Sequence, residues 1–259
     1  MQNWKPGDQT GQPVEKQNIR LTVAFDGTDY HGWQIQKNSP TVQGFLTQAL
    51  GKITGEKVTL TASGRTDAGT HARGLVANFL TGTKLPPGQL VRALNAMLPR
   101  DIRILSARKV GPDFHARRHA VAKTYRYQMF LGPVLPPHLI RECFHYPYRV
   151  DMSSMKAAAE LFPGEHDFAS FAKSSEDYSS TVRRIFRCEL RKKGRRLTLT
   201  VEGNGFLHHM VRNMAGTLLE VGKGTISFDE FRSLFTRRDR KLAGFTAPAH
   251  GLVLLKVRY

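Results

Sequence analysis

From Ile19 to Phe25 apolar and polar residues alternate, as in a half-buried strand. Behind Thr41, a residue suited to a helix N-cap, Val42, Phe45, Leu46, Ala49 and Leu50 recur at helical spacing. Two short apolar runs, one at Val58 and Leu60 and one from Leu75 to Phe79, predict strands on either side of a glycine-bearing bend. Leu90, Val91, Leu94 and Met97 mark a second helix, entered at Pro86-Pro87 and stopped at Pro99, and Ile102 to Val110 reads as a strand. Strand, helix, strand, strand, helix, strand is the split βαβ order.

After Gly111-Pro112 the same order is spelled again. Tyr125, Tyr127, Met129 and Leu131 alternate along a strand from Lys123 to Leu131, and Asp151 caps a helix carrying Met155, Ala158, Ala159 and Phe162. Val182 to Leu190 and Leu197 to Val201 form a hairpin, Phe206 to Val221 reads as a helix, and Leu252 to Val257 is the last strand. The repeat is one of topology, not of letters. It predicts an α/β (α+β) protein of two split-βαβ halves, RRM- or ferredoxin-like, whose strands form a largely antiparallel mixed sheet with a central cleft. The expected boundaries are a disordered N-terminal tail at 1–18, polar and without periodicity, an N-terminal domain at 19–112, and a C-terminal domain at 113–259.

Charge adds what periodicity does not. Thirty-nine Lys and Arg against 21 Asp and Glu leave a net charge of +18, the footprint of a phosphate-rich partner. Nucleic acid is the first candidate. A membrane is set aside, because no apolar run reaches the ~18 residues of a spanning helix and no basic amphipathic anchor stands at a terminus. Two cysteines, Cys143 and Cys188, make no disulfide framework for a chain this long, and the N-terminus lacks a signal-peptide core, so a reduced, cytoplasmic protein is expected.

Metal and cofactor signatures are absent. His115 and His119 are spaced i, i+4, but no Glu or Cys group accompanies them, so no metal is expected. No glycine-rich dinucleotide fingerprint follows a strand, and Gly222-Lys223-Gly224-Thr225 lacks the phosphate-loop spacing and reads as a helix C-cap. The chemistry must work without a bound nucleotide. The bend between the first half's inner strands, Leu60 to Ala72, places Asp67 in a loop that strands hold on both sides, which can aim a carboxylate into a cleft; the same letters also suit a plain turn. Trp33, in a polar loop after Phe25, is free to pack or to stack on a base.

Gly64-Arg65-Thr66-Asp67-Ala68-Gly69-Thr70-His71-Ala72 resembles the active-site motif of the TruA family of tRNA pseudouridine synthases. Further stretches fit that family in order: Phe25-Asp26-Gly27 through Gln36, Phe114-His115-Ala116-Arg117, Lys123 through Tyr127, Gly205-Phe206-Leu207 through Met214, and the terminal Gly251 to Tyr259. The likeness runs from about residue 19 to 259. Thr70 stands where the family usually has Val, beside the catalytic position and not at it.

The resemblance implies isomerisation of uridine to pseudouridine at positions 38, 39 and 40 of the tRNA anticodon arm, by a homodimer needing no cofactor. It assigns Asp67 as the catalytic carboxylate, acting as nucleophile or as base on the sugar, with Arg212 as its basic partner. Tyr125 is the active-site tyrosine, stacking on the flipped uracil and placed to assist loss of the C5 proton; Arg65 fills the gap left by the base, and Leu252 lines the uracil pocket. Arg117, Arg118, Lys123, Arg126, Arg183 and Arg184 are the expected RNA-binding residues. The competing expectation is a non-catalytic tandem RRM-like RNA-binding protein, which shares the fold order and charge but has no use for an Asp amid arginines and shows no clear RNP aromatic signature. A metal-dependent nuclease would want clustered carboxylates, and acidic residues here are sparse.

Overall fold

Alternation builds the first strand, β1 (Gln17–Phe25), which turns Ile19, Leu21, Val23 and Phe25 into the core. The computed structural model describes residues 16–259, so the expected tail lies outside the described residues as far as residue 15. Gln17 and Asn18, counted with that tail, belong to β1 instead. Asn18 is buried and its side-chain amide donates to the carbonyls of Gly111, Pro112 and Phe114, a role no alternation pattern reveals.

Helix α1 (Val42–Thr54) starts at Thr41, whose hydroxyl accepts from the Gly44 N–H, and ends at Gly55 in the left-handed region. A two-residue strand β2 (Thr61–Ala62) leads to β3 (His71–Thr81), then α2 (Pro87–Met97) and β4 (Ile102–Val110). β1 pairs antiparallel with both β3 and β4, and β2 pairs antiparallel with β3, giving the split βαβ order β4-β1-β3-β2.

The second half repeats it. β5 (Ala122–Phe130) is followed by a short β6 (Phe144–His145), α3 (Met152–Ala159) capped by Asp151, β7 (Gly164–Asp167), the hairpin β8 (Val182–Lys193) and β9 (Arg196–Gly203), α4 (Met210–Lys223), α5 (Phe228–Arg237) and β10 (Leu252–Arg258). β5 lies between β10 and β9, with β8 beyond β9. β10 then pairs in parallel with β3 through Val253–His71 and Leu254–Ala72, fusing the halves into one mixed sheet ordered β4-β1-β3-β10-β5-β9-β8-β7, with β2 and β6 alongside β3 and β5. Every other pairing between its long strands is antiparallel.

Two helices depart from the sequence expectation. α4 begins at Met210, four residues later than the apolar spacing suggests, because His209 takes a left-handed φ of 62° that an α-helix excludes. α5 is additional to the expected elements, although Ser227 and Glu230 form a capping box. Its Phe231 and Phe235 join Phe162, Phe168 and Phe171 in an aromatic cluster with ring centroids 5.3–6.3 Å apart. α4 is buried on nearly every side; Asn213 within it donates to Phe171 O at 2.7 Å, and Arg240 holds the carbonyls of Ala243 and Gly244 together with the Asn213 amide oxygen. That helix is therefore a fixed platform for its third residue, Arg212.

Candidate active site

Asp67 lies in the loop between β2 and β3, and the segment after β1 clamps that loop from behind. The Trp33 N–H donates to Thr66 O at 3.2 Å, the Gly69 N–H to Tyr30 O at 3.2 Å, and the Thr70 N–H closes a turn on Asp67 O at 3.1 Å. Trp33 and Tyr30 are buried, so the tryptophan packs and is no platform for a base. Gly32, at φ +84°, permits the approach: a Cβ there would stand 2.4 Å from Thr66 O. Gly69, at φ +78°, completes the turn beyond Asp67. The loop runs directly into His71 and Ala72, the residues of β3 that pair with β10, so Asp67 emerges at the seam between the halves.

The opposite half supplies its partners. Arg212 of α4 donates through Nη1 to Asp67 Oδ2 at 2.8 Å and through Nε to Ala247 O at 2.7 Å; the two side chains of the ion pair are 14% and 22% exposed. His208 Nε2 stands 3.4 Å from Asp67 Oδ1 and His209 Nε2 3.4 Å from Oδ2. Burial, outweighing the pull of Asp67 and helped by Arg212, pushes the His209 pKa down to about 4, so its ring is neutral at neutral pH.

Tyr125 on β5 is buried beside this group, its ring meeting Phe206 edge-on at 5.0 Å. Burial first, and the charge of Asp67 second, push its phenol above the usual tyrosine range. The hydroxyl is therefore protonated, and the ring lines the cleft beside Asp67. Tyr127, two residues on, is fully buried and donates to Pro248 O at 2.7 Å, which makes it core.

These groups line a cleft of about 1400 Å³, larger than the ~300–1,000 Å³ of small-molecule pockets and open enough for a polymer segment. Arg65, Arg117, Lys123, Lys173 and Arg212 line it against only two carboxylates, Asp67 and Asp177. Leu252, at the start of β10, is buried in its wall. Of the expected RNA-binding residues, Arg117 and Lys123 line the cleft, and Arg183 stands at its rim, its guanidinium 5.8 Å from the Tyr178 ring. Arg118 and Arg184 are exposed off the lining, and Arg126 alternates with Tyr125 onto the other face of the sheet, where its Nε is buried without a partner.

His208 and His209 lie outside the sequence expectation. They occupy a turn, so no periodicity marks them, and only their place before Met210-Val211-Arg212 could draw notice. With Asp67 they set three metal-ligand atoms within 4.8 Å of one another, a donor set that suits a divalent cation and that the His115–His119 spacing does not foretell. Asp67 Oδ2 already accepts the Arg212 guanidinium, so a cation placed there meets a fixed positive charge.

Comparison with known proteins agrees with this geometry. Residues 21–117 and 158–259 match the family model described as tRNA pseudouridine synthase. Proteins named tRNA pseudouridine synthase A from Caldicellulosiruptor saccharolyticus and Acetivibrio thermocellus are 45% identical over 242 residues and 44% identical over 243, in each case covering 93% of this chain and 99% of the relative. One from Pelobacter propionicus is 45% identical over 243 residues with the same coverage. These matches favour the catalytic over the non-catalytic RNA-binding alternative. The chain belongs to the tRNA pseudouridine synthase family, isomerases that act on uridine in tRNA.

Proposed function

We propose that this enzyme isomerises uridines 38, 39 and 40 of the tRNA anticodon arm, with Asp67 as the group that attacks the nucleotide, as nucleophile or as base on the sugar. The observation that carries the reading is the carboxylate of Asp67 held by Arg212 across the seam, with the Tyr125 ring beside it in a basic cleft. The reaction breaks the N1–C1′ bond, forms C5–C1′, moves a proton from C5 to solvent and places one on N1. It changes no oxidation state, so an ionised carboxylate and an enclosed pocket suffice. Arg212 holds Asp67 in orientation, Tyr125 stacks on the extruded uracil, Leu252 packs against its edge, and Arg65, exposed at the mouth of the loop, fills the space the base leaves.

Residues 19–112 and 113–259 are the two units between which the arm lies. An A-form stem hides its base edges in a deep groove, so recognition by backbone and shape, through Arg117, Lys123 and Arg183 in particular, allows neighbouring uridines to be modified by one enzyme. A homodimer working in the cytoplasm is the assembly we assign to it. Among the described residues no helix is long and apolar enough to cross a membrane.

Tritium release from C5-labelled uridine in a tRNA transcript tests the assignment. Wild type releases tritium with EDTA present, and Asp67→Asn binds the RNA without release; turnover by Asp67→Asn removes the role given to the carboxylate. A map of pseudouridine in tRNA from cells lacking the protein tests the substrate, and loss outside the anticodon arm overturns it.

A further inference from the structure

Side chains two apart on a strand share a face, so Lys123 stands on the cleft wall one step along β5 from Tyr125. Its partners across the sheet are Gly203 on β9 and Val257 on β10, neither of which offers a polar side chain. The ammonium reaches toward the catalytic loop: a Cβ added to Gly64 would lie 3.2 Å from Nζ. None of the ion pairs among the described residues involves Lys123, Arg117 or Arg183. Arg117 and Arg183 are instead the charged groups that act on Lys123, and with desolvation, the largest cause, they lower its pKa to about 8. Arg183 is not free to swing away, because its Nη1 donates to Ser180 O at 2.9 Å and Val182 O at 2.7 Å.

Three cations from three separate segments, the connection before β5, β5 itself and β8, thus come together at the wall and rim of the cleft with no ion-pair partner among the described residues. Such an arrangement repels itself until an anion enters, and a phosphodiester is the anion a tRNA brings. We infer that Lys123, flanked by Arg117 and Arg183, binds the backbone phosphate adjoining the target uridine and so sets the depth to which that nucleotide enters over Tyr125. The inference rests on the reading that the uridine is processed beside Asp67 and Tyr125. The cleft's cations then divide between two roles, with Arg212 serving the carboxylate and Lys123 the RNA backbone.

The test pairs one protein change with one RNA change. Anticodon-arm RNAs are made with a neutral methylphosphonate replacing the phosphate either 5′ or 3′ of the target uridine, and binding and tritium release are measured for wild type, Lys123→Met and Lys123→Arg. Neutralising one of the two phosphates should weaken wild-type binding by about ten- to a hundredfold, the worth of a charge-assisted hydrogen bond. Lys123→Met should lose a similar factor on unmodified RNA and lose almost nothing more on the neutralised RNA, while Lys123→Arg keeps the sensitivity of wild type. Losses that multiply, or wild-type binding indifferent to both substitutions, overturn the inference. Thermal unfolding of both variants shows that the fold is retained. Unmodified RNA that wild type binds without releasing tritium refutes the uridine reading instead, and the binding cycle still decides the phosphate site.

Discussion

Lys123→Met removes a charge for which the fold supplies no partner. In the free protein Lys123 stands on β5 between Gly203 and Val257, its ammonium is acted on by two guanidiniums, and its pKa falls from the ordinary 10.5 to about 8. By linkage that fall corresponds to about 3 kcal/mol of destabilisation, in full below pH 8, where folded and unfolded chains both hold the proton. Between pH 8 and 10.5 the folded chain releases it while the unfolded chain keeps it, so wild-type stability gains from this group as pH rises. Above 10.5 both forms are neutral and the penalty is gone. Methionine keeps an unbranched apolar stem of similar length. Without RNA at pH 7, Lys123→Met should therefore be more stable by up to about 3 kcal/mol, a rise of roughly 6–12 °C in melting temperature for a chain this size. Thermal unfolding followed by circular dichroism at pH 7, 8, 9 and 10 measures the gap, which should narrow across the series. A variant less stable than wild type at pH 7, or a gap that ignores pH, refutes the picture of an uncompensated buried ammonium.

Arg212→Leu leaves the Asp67 carboxylate facing a neutral His209, and because the pair is only partly buried the expected loss is about 2–3 kcal/mol, below the ~3–5 of a fully buried one. Tritium release should vanish as well, and unchanged stability would show that the pair does not tie the halves together. For His209 the folded pKa is the lower one, so the unfolded chain takes up the proton first and the fold loses stability as pH falls from 6.5 toward 4. In His209→Asn, which tolerates the left-handed backbone, that acid-side loss should shrink; an equal acid slope in both proteins counts against a desolvated imidazole. Gly32→Ala forces a Cβ against Thr66 O at positive φ and should cost about 1–3 kcal/mol with loss of activity, whereas Gly88→Ala in α2, with open space around it, should stabilise by about 0.5–1 kcal/mol.

The strands and helices that alternate or repeat cleanly are legible because burial of one face dictates their letters: β1, α1, α2, β5 and the β8–β9 hairpin follow the apolar pattern within a few residues. What escapes is decided by tertiary contact. Trp33 sits in a polar loop, and only the clamp on Thr66 explains why it is buried. Phe206 and Leu207 fit helical spacing and so suggest too early a start for α4, yet the chain turns through His209 before the helix begins. The parallel stitch between β3 and β10 joins residues about 180 positions apart, and no local pattern announces it. Asp67, Tyr125 and Arg212 are marked by family motifs, and the structure adds what the motifs lack, namely the two histidines beside the carboxylate.

The repeated topology explains why the carboxylate had to stand at the seam. The Asp67 loop belongs to the first half, whereas Tyr125 and Arg212 belong to the second, so the cleft they line is shared between the halves. Pairing β3 with β10 brings the end of the Asp67 loop beside β5 and under the first turn of α4, where Tyr125 and Arg212 are already fixed by the second half's core. The cleft can then carry an excess of cations for the RNA and still hold the Asp67 carboxylate, because Arg212 pairs with Asp67 at 2.8 Å while Arg117, Lys123 and Arg183 make no ion pair among the described residues.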